Sequence, residues 1–278
     1  MVDDAENIQR IQVTATRLRR HIVSMLAAAG SGHSAGPLGM ADFMAVLYFQ
    51  EMRHNPADPD WPERDVFFLS HGHTAPVLYA ALAESGYFPT TELATLRALG
   101  SRLQGHPERN ALPGIESTSG PLGSGLSQAA GYAYALRYLD KQPDRRVFVA
   151  MGDGELNEGN VWEAAMFAAA HSLTNLIGIV DRNRIQIDGD TEEVMPLGDL
   201  AAKWEAFGWS AIDADGHNVQ SLLSAFRRAR AADKPTVLIA HTIPGKGVSF
   251  MESDHRWHGR PPTAEQRDQA LRELELVL

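Results

Sequence analysis

Residues 146–155 read Arg146-Val147-Phe148-Val149-Ala150-Met151-Gly152-Asp153-Gly154-Glu155, an unbroken apolar run that stops on a carboxylate between two glycines. A run of this length with no polar alternation is what a strand buried on both faces requires. Outward from it, Val66-Phe67-Phe68-Leu69, Asn175-Leu176-Ile177-Gly178-Ile179-Val180 and Thr236-Val237-Leu238-Ile239-Ala240 repeat the pattern. Between the second and third runs, the Ala-rich stretch from Val161 to Ala170 reads as a helix. Ile8, Ile11, Leu18, Ile22 and Met25 form the apolar stripe of another, ending near Gly30. Buried strands alternating with helices predict an α/β fold with a parallel sheet flanked by helices on both faces. With no internal repeat and no low-complexity linker, residues 1–278 read as a single domain. The stretch from Gly100 to Gly125 lacks periodicity, and loops that long in a compact domain usually carry function.

Composition narrows the classes. The 278 residues are 44% hydrophobic and 22% charged, enough apolar content for a substantial core. A formal charge of -10 argues against a broad grip on nucleic acid. The absence of cysteine removes disulfides, thiolate metal sites and thiol nucleophiles together. Met1-Val2-Asp3-Asp4-Ala5-Glu6 is acidic rather than a signal peptide, and no apolar run approaches the ~18–20 residues of a membrane span. The expected compartment is the cytoplasm.

Ligands of a doubly wound sheet sit beyond the carboxyl ends of its strands. Gly152-Asp153-Gly154-Glu155 follows one strand, and Asp181-Arg182-Asn183-Arg184-Ile185 follows the next. Asp153 and Asn183 are oxygen donors suited to Mg²⁺ or Ca²⁺, which could bridge a carboxylate and a phosphate. Taken singly, Gly-Asp-Gly is also what an Asx-capped turn would carry. Of the 11 histidines, His33, His71, His73, His106, His217 and His258 sit beside or between glycines. Neutral imidazoles suit proton transfer and the hydroxyls of sugars. A zinc site is weakly supported, since His-Glu-x-x-His is absent and His255-x-x-His258 stands alone. Gly120-Pro121-Leu122-Gly123-Ser124-Gly125 is no dinucleotide fingerprint, and Pro244-Gly245-Lys246-Gly247 is no P-loop.

Gly152-Asp153-Gly154-Glu155-Leu156-Asn157-Glu158-Gly159, with Asp181 to Gly189 after it, resembles the thiamine diphosphate motif of transketolases. Ser31-Gly32-His33, Leu69-Ser70-His71-Gly72-His73, Gly105-His106-Pro107-Glu108 and Gly120-Pro121-Leu122-Gly123 resemble four further signatures of that family, in its order. The resemblance runs from about Ile8 to about Pro261 and implies a thiamine diphosphate-binding fold. It implies that Asp153, Asn183 and the main-chain oxygen of Ile185 hold Mg²⁺ or Ca²⁺. By the same resemblance Gly154, Glu155, Asn183, His73 and His258 meet the diphosphate region, and Gly120, Pro121, Leu122 and Ile187 line the cofactor. His33, His73, His106 and His258 would face the sugar. Glu158 and Glu163 match acidic residues that couple paired active sites in the family, although their pattern alone is that of a solvated helix face.

A full-length transketolase has three domains, and this chain ends at Leu278, where the first would end. The resemblance therefore implies the N-terminal subunit of a split transketolase, moving a two-carbon ketol unit from a ketose or ketose phosphate to an aldose. It would be inactive without a C-terminal subunit bearing the aminopyrimidine-binding domain, with two copies of each chain as the expected assembly. Sugars or sugar phosphates are the expected small partners, with neither nucleic acid nor membrane. Ser34 replaces the usual proline after the first histidine, and His71 stands where many members have Asn or Lys. The Trp257-His258-Gly259 region also resembles deoxyxylulose phosphate synthase, a sister enzyme that uses pyruvate. The alternatives are that sister activity, a stand-alone phosphate-binding protein, or a non-catalytic cofactor-binding subunit.

Overall fold

The computed structural model describes residues 5–275, so residues 1–4, part of the acidic start, and residues 276–278, with Leu278, lie outside the described residues. In chain order the elements are α1 (Ala5–Ala29), α2 (Ala35–Val46), β1 (Val66–Leu69), α3 (Ala75–Ser85), α4 (Ser124–Tyr134), β2 (Val147–Gly152) and α5 (Gly159–Ala170). There follow β3 (Leu176–Arg182), β4 (Ile185–Gln186), β5 (Gly189–Asp190), α6 (Thr191–Val194), α7 (Leu200–Ala206), β6 (Ser210–Asp215), α8 (Val219–Ala231), β7 (Thr236–His241) and α9 (Ala264–Glu273).

The main sheet is five-stranded in the order β1-β2-β3-β7-β6, and every pairing is parallel. Its strands are buried because alternate side chains enter two separate cores. Phe67, Leu69, Phe148, Ala150, Ile177, Ile179, Leu238 and Ala240 pack with α1, α2, α3 and α8 on one face. Val66, Phe68, Val147, Val149, Met151, Leu176, Val180, Val237 and Ile239 pack with α4, α5 and α7 on the other. Both faces being covered is why these strands read as continuous apolar runs.

The expected parallel α/β architecture is present, with instructive differences at the edges. β3 runs on through Asp181 and Arg182, both buried, where the hydropathy pattern ends at Val180. Ser210-Ala211-Ile212-Asp213-Ala214-Asp215 forms an edge strand with no long apolar run, because Asp213 and Asp215 point to solvent. The antiparallel pair β4–β5 is too short for any periodicity to reveal. Glu158 does not lie on the predicted helix: with φ -73° and ψ 125° it is the N-cap of α5, and Glu163 alone of the two sits in the helix. No α-helix or strand occurs between residues 96 and 123, consistent with the loop expected there. Among the described residues no helix is long and apolar enough to cross a membrane.

Candidate functional site

The loops after β1, β2 and β3 open side by side at the carboxyl edge of the sheet, and a cavity of about 420 Å³ lies over them. Parallel register makes this inevitable: Gly152 ends β2 opposite Asp181 of β3, so the Asp153 and Asn183 turns emerge as neighbours. His33, His73, His106, His258, Gly120, Leu122, Asp153, Gly154, Glu155, Asn183, Ile185 and Ile187 all line the cavity. Pro121, Glu158 and Glu163 are not among its lining residues, and the two glutamates are exposed on the outer side. The cavity also takes in Gly36, His71, Thr74, Gly152, Asp181, Gln186 and Asp188. Of these, His71 was legible from its place between β1 and Gly72, whereas Gly36 and Thr74 carry no chemical signal in sequence.

The imidazoles form a compact group. The ring centres of His33 and His73 are 4.9 Å apart, those of His73 and His258 5.2 Å, and those of His33 and His258 5.6 Å. His71 lies behind His73 at 5.8 Å. Burial, with the nearby His258, Arg97 and His106, lowers His33 to a pKa of about 4. Burial likewise lowers His71 to about 4 and holds His73 well below its ordinary value. Burial lowers His258, and partial burial with the charge of Arg97 lowers His106. The group is therefore neutral near pH 7, each ring keeping one N–H and one lone pair. The Ala150 carbonyl lies 3.1 Å from His71 Nδ1 and can only accept, so the proton sits there and Nε2 is a buried acceptor with no partner.

Asp153 is buried, its carboxylate accepting from Gly154 N–H at 2.8 Å, Arg184 N–H at 2.7 Å and Arg182 Nη1 at 2.9 Å. Burial nonetheless raises its pKa, these donors opposing. Asn183 donates Nδ2–H to Asp181 at 2.6 Å, while its Oδ1 accepts from Ile185 N–H at 3.0 Å. Burial and the neighbouring Asp153 lift Asp181 to a pKa of about 7, against the hydrogen bonds from Thr242 and Asn183. The carboxylate of Asp153, the amide oxygen of Asn183 and the carbonyl of Ile185 are hard oxygen donors that fit Mg²⁺ or Ca²⁺. Three such groups fall short of the six or more oxygens these cations take, so one bound there would need oxygens from its ligand too. Gly120 has nothing within 4 Å of where a Cβ would stand, leaving room beside its backbone, and the unpartnered His71 Nε2 offers an acceptor.

Glu155, which lines the cavity as expected of a residue near the cofactor, is also bonded throughout to the protein. One oxygen accepts from Ser70 Oγ and from Gly123 N–H at 2.6 Å, and the other from Gly152 N–H at 3.0 Å. Both oxygens are thus occupied by the protein, and the residue ties the loops after β1 and β2 to the turn before α4. Gly123 makes that turn at φ 81°, a backbone conformation that a side chain disfavours.

A profile of the transketolase, thiamine diphosphate binding domain matches residues 10–275. The 6-deoxy-6-sulfo-D-fructose transketolase subunit SqwG of Clostridium sp. (strain MSTE9) is 43% identical over 266 residues, spanning 95% of this chain and 96% of its own length. An apulose-4-phosphate transketolase subunit from Phocaeicola vulgatus is 40% identical over 268 residues, spanning 96% of this chain and 94% of itself. The crystal structure of transketolase from Campylobacter jejuni superposes with a TM-score of 0.90 at 35% identity, covering 96% of this chain but 43% of that one. The chain spans under half the length of that transketolase and nearly all of the two subunits.

Proposed function

Because the chain belongs to the transketolase thiamine diphosphate-binding domain family, we propose that it is the diphosphate-binding subunit of a two-component transketolase. Its partner would be a second chain bearing the aminopyrimidine-binding and C-terminal domains, two copies of each assembling in the cytoplasm. The observation that carries this reading is the single cavity joining the Asp153–Asn183 oxygen donors to the neutral histidine group.

Asp153, Asn183 and the Ile185 carbonyl hold Mg²⁺ or Ca²⁺, and Gly154, Asn183, His73 and His258 meet the diphosphate. Gly120, Pro121, Leu122 and Ile187 flank the rest of the cofactor. When bound, thiamine diphosphate supplies the carbon nucleophile that carries a two-carbon ketol unit between sugars. The chain's own task is to orient hydroxyls, move their protons and keep water out. His73 and His258, neutral, half-buried and 5.2 Å apart at their ring centres, accept and return the proton of a donor hydroxyl. His33 and His106 hold further hydroxyls of the ketose or aldose. Glu158 and Glu163, exposed at the start of α5, are the carboxylates through which paired sites would communicate.

The test is a two-carbon transfer assay with thiamine diphosphate and Mg²⁺, on this chain, a candidate partner and their mixture. Ketose donors with ribose 5-phosphate as acceptor are followed by mass spectrometry. Transfer in the mixture alone is expected. Full activity from this chain by itself would overturn the two-component reading, and cofactor uptake by the mixture without ketol transfer would redirect it to pyruvate.

A further inference from the structure

His217 lies outside the cavity, yet it is bonded at both ring nitrogens. It follows β6, where Gly216 N–H donates to the His241 carbonyl at 2.8 Å. Its Nδ1 is 2.7 Å from Asp42 Oδ2, and its Nε2 accepts from Ile243 N–H at 2.7 Å. With Ile243 N–H donating to Nε2, the ring proton sits on Nδ1 and is given to the carboxylate. Asp42 is buried on α2 and gripped by Arg19 of α1, at 2.5 Å from Nη2 and 3.3 Å from Nη1. Arg19 Nε is spent on the Leu38 carbonyl at 3.1 Å.

On its other side the pinned turn reaches the cation-donor loop. Thr242 donates its hydroxyl to Asp181 and its N–H to the Arg182 carbonyl at 3.2 Å. Asp181 in turn accepts from the Asn183 amide at 2.6 Å. Asp181 is buried, so moving Thr242 would take a hydrogen-bond donor from a carboxylate that depends on it. The bonds thus run without a break from Arg19 through Asp42, His217 and the Thr242–Ile243 turn to Asn183, joining α1 and α2 to the end of β3.

We propose that His217 is a positioning residue: by pinning the Thr242–Ile243 turn it fixes Asp181, and through Asp181 it sets the orientation in which Asn183 offers its amide oxygen. Groups that orient a ligand-bearing side chain govern its affinity without touching the ligand. The inference rests on the proposed cation-holding role of Asn183 but makes a separate demand on the loop itself. A phenyl ring at 217 would fill the space, leave Ile243 N–H without its acceptor and leave Asp42 held by Arg19 alone. A glutamine amide offers one donor and one acceptor and can restore both bonds.

His217→Phe, His217→Gln, Thr242→Val and the His217→Phe/Thr242→Val pair test this. Amide hydrogen exchange on the chain without ligand is expected to quicken about tenfold over residues 183–190 in His217→Phe and in Thr242→Val, while β1 and α4 stay unchanged. His217→Gln should stay near wild type, and the double variant should exchange no faster than the quicker single. The Mg²⁺ concentration that half-saturates thiamine diphosphate binding, read by calorimetry, should rise about 10–100-fold in His217→Phe. Unchanged exchange at 183–190, exchange raised uniformly across the sheet, or additive effects would each overturn the proposal. If exchange responds as expected but wild type takes up no Mg²⁺ with thiamine diphosphate, the clamp on the loop stands and the cation-holding reading falls.

Discussion

Glu155 shows how a charge can be built into the backbone of a site. Its carboxylate serves Ser70 Oγ and Gly123 N–H, both buried, and Gly152 N–H at the edge of the cavity. Glu155→Ala would strand two backbone donors, and each such group costs about 1–3 kcal/mol. A loss of about 2–4 kcal/mol in urea unfolding is therefore expected, with a smaller loss for Glu155→Gln; a variant within about 0.5 kcal/mol of wild type would contradict it. The histidines predict a pH response. His33 and His71 have folded pKa values of about 4, below the ordinary 6.5, so the stability they confer is complete above pH 6.5 and drains as pH falls towards 4. Asp181 acts in the opposite sense: held up at about 7, it costs stability when charged and recovers it as pH falls from 7. His71→Asn removes one of the acid-labile contributions, so its Tm should fall less between pH 7 and pH 5 than that of wild type. Under the proposed function, His106→Ala should lower kcat/KM for the sugar by about 10–100-fold once the partner is present, the order expected from one lost hydrogen bond to a hydroxyl; an unchanged value for every donor would remove His106 from that role. At this scale the sequence announces chemistry and hides wiring. Asp153, Asn183 and the glycine-flanked histidines stand out by type and spacing. That Glu155 answers Ser70 and Gly123, or that His217 answers Asp42, depends on partners 85, 32 and 175 positions away, which no local pattern encodes.

Elements are legible in proportion to their burial. β2 and the apolar part of β3 lie in the sheet's interior and announce themselves as unbroken runs. β3 continues through Asp181 and Arg182 because each buried charge finds a partner, Thr242 for one and Asp153 with Glu192 for the other. Hydropathy has no means of registering such pairing. β6 leaves no apolar run because its outward residues are aspartates at a sheet edge, which is how an edge strand avoids pairing with other chains. The start of α4 presses directly on the end of β1: a Cβ at Gly125 would fall 2.5 Å from Ser70 Oγ and 2.6 Å from Ser70 Cα. Gly125→Ala should therefore push α4 outward and break the 3.1 Å bond from Gly125 N–H to Ser70, which itself holds Glu155. A loss of about 1–3 kcal/mol is expected, with weakened thiamine diphosphate binding in the same variant. Ser127→Ala, on the exposed side of the same helix, should change neither within about 0.5 kcal/mol.

The whole molecule presents its cavity at one edge of the sheet, between two helical layers that do not share a core. Under the two-component reading, sedimentation of this chain mixed with its partner should give a species larger than either alone, with two copies of each. Unchanged sedimentation over a wide concentration range would refute that assembly. The two layers also divide the labour of the cavity. His33 lies between α1 and α2, His73 immediately before α3, and His258 shortly before α9, all on the layer packed against the first face. The turns bearing Leu122 and Gly154 lead into α4 and α5, which belong to the opposite layer. The sheet between them acts as a firewall for heredity. A substitution that repacks one core does not touch the other, so the two sides of the cavity's rim can drift in sequence independently.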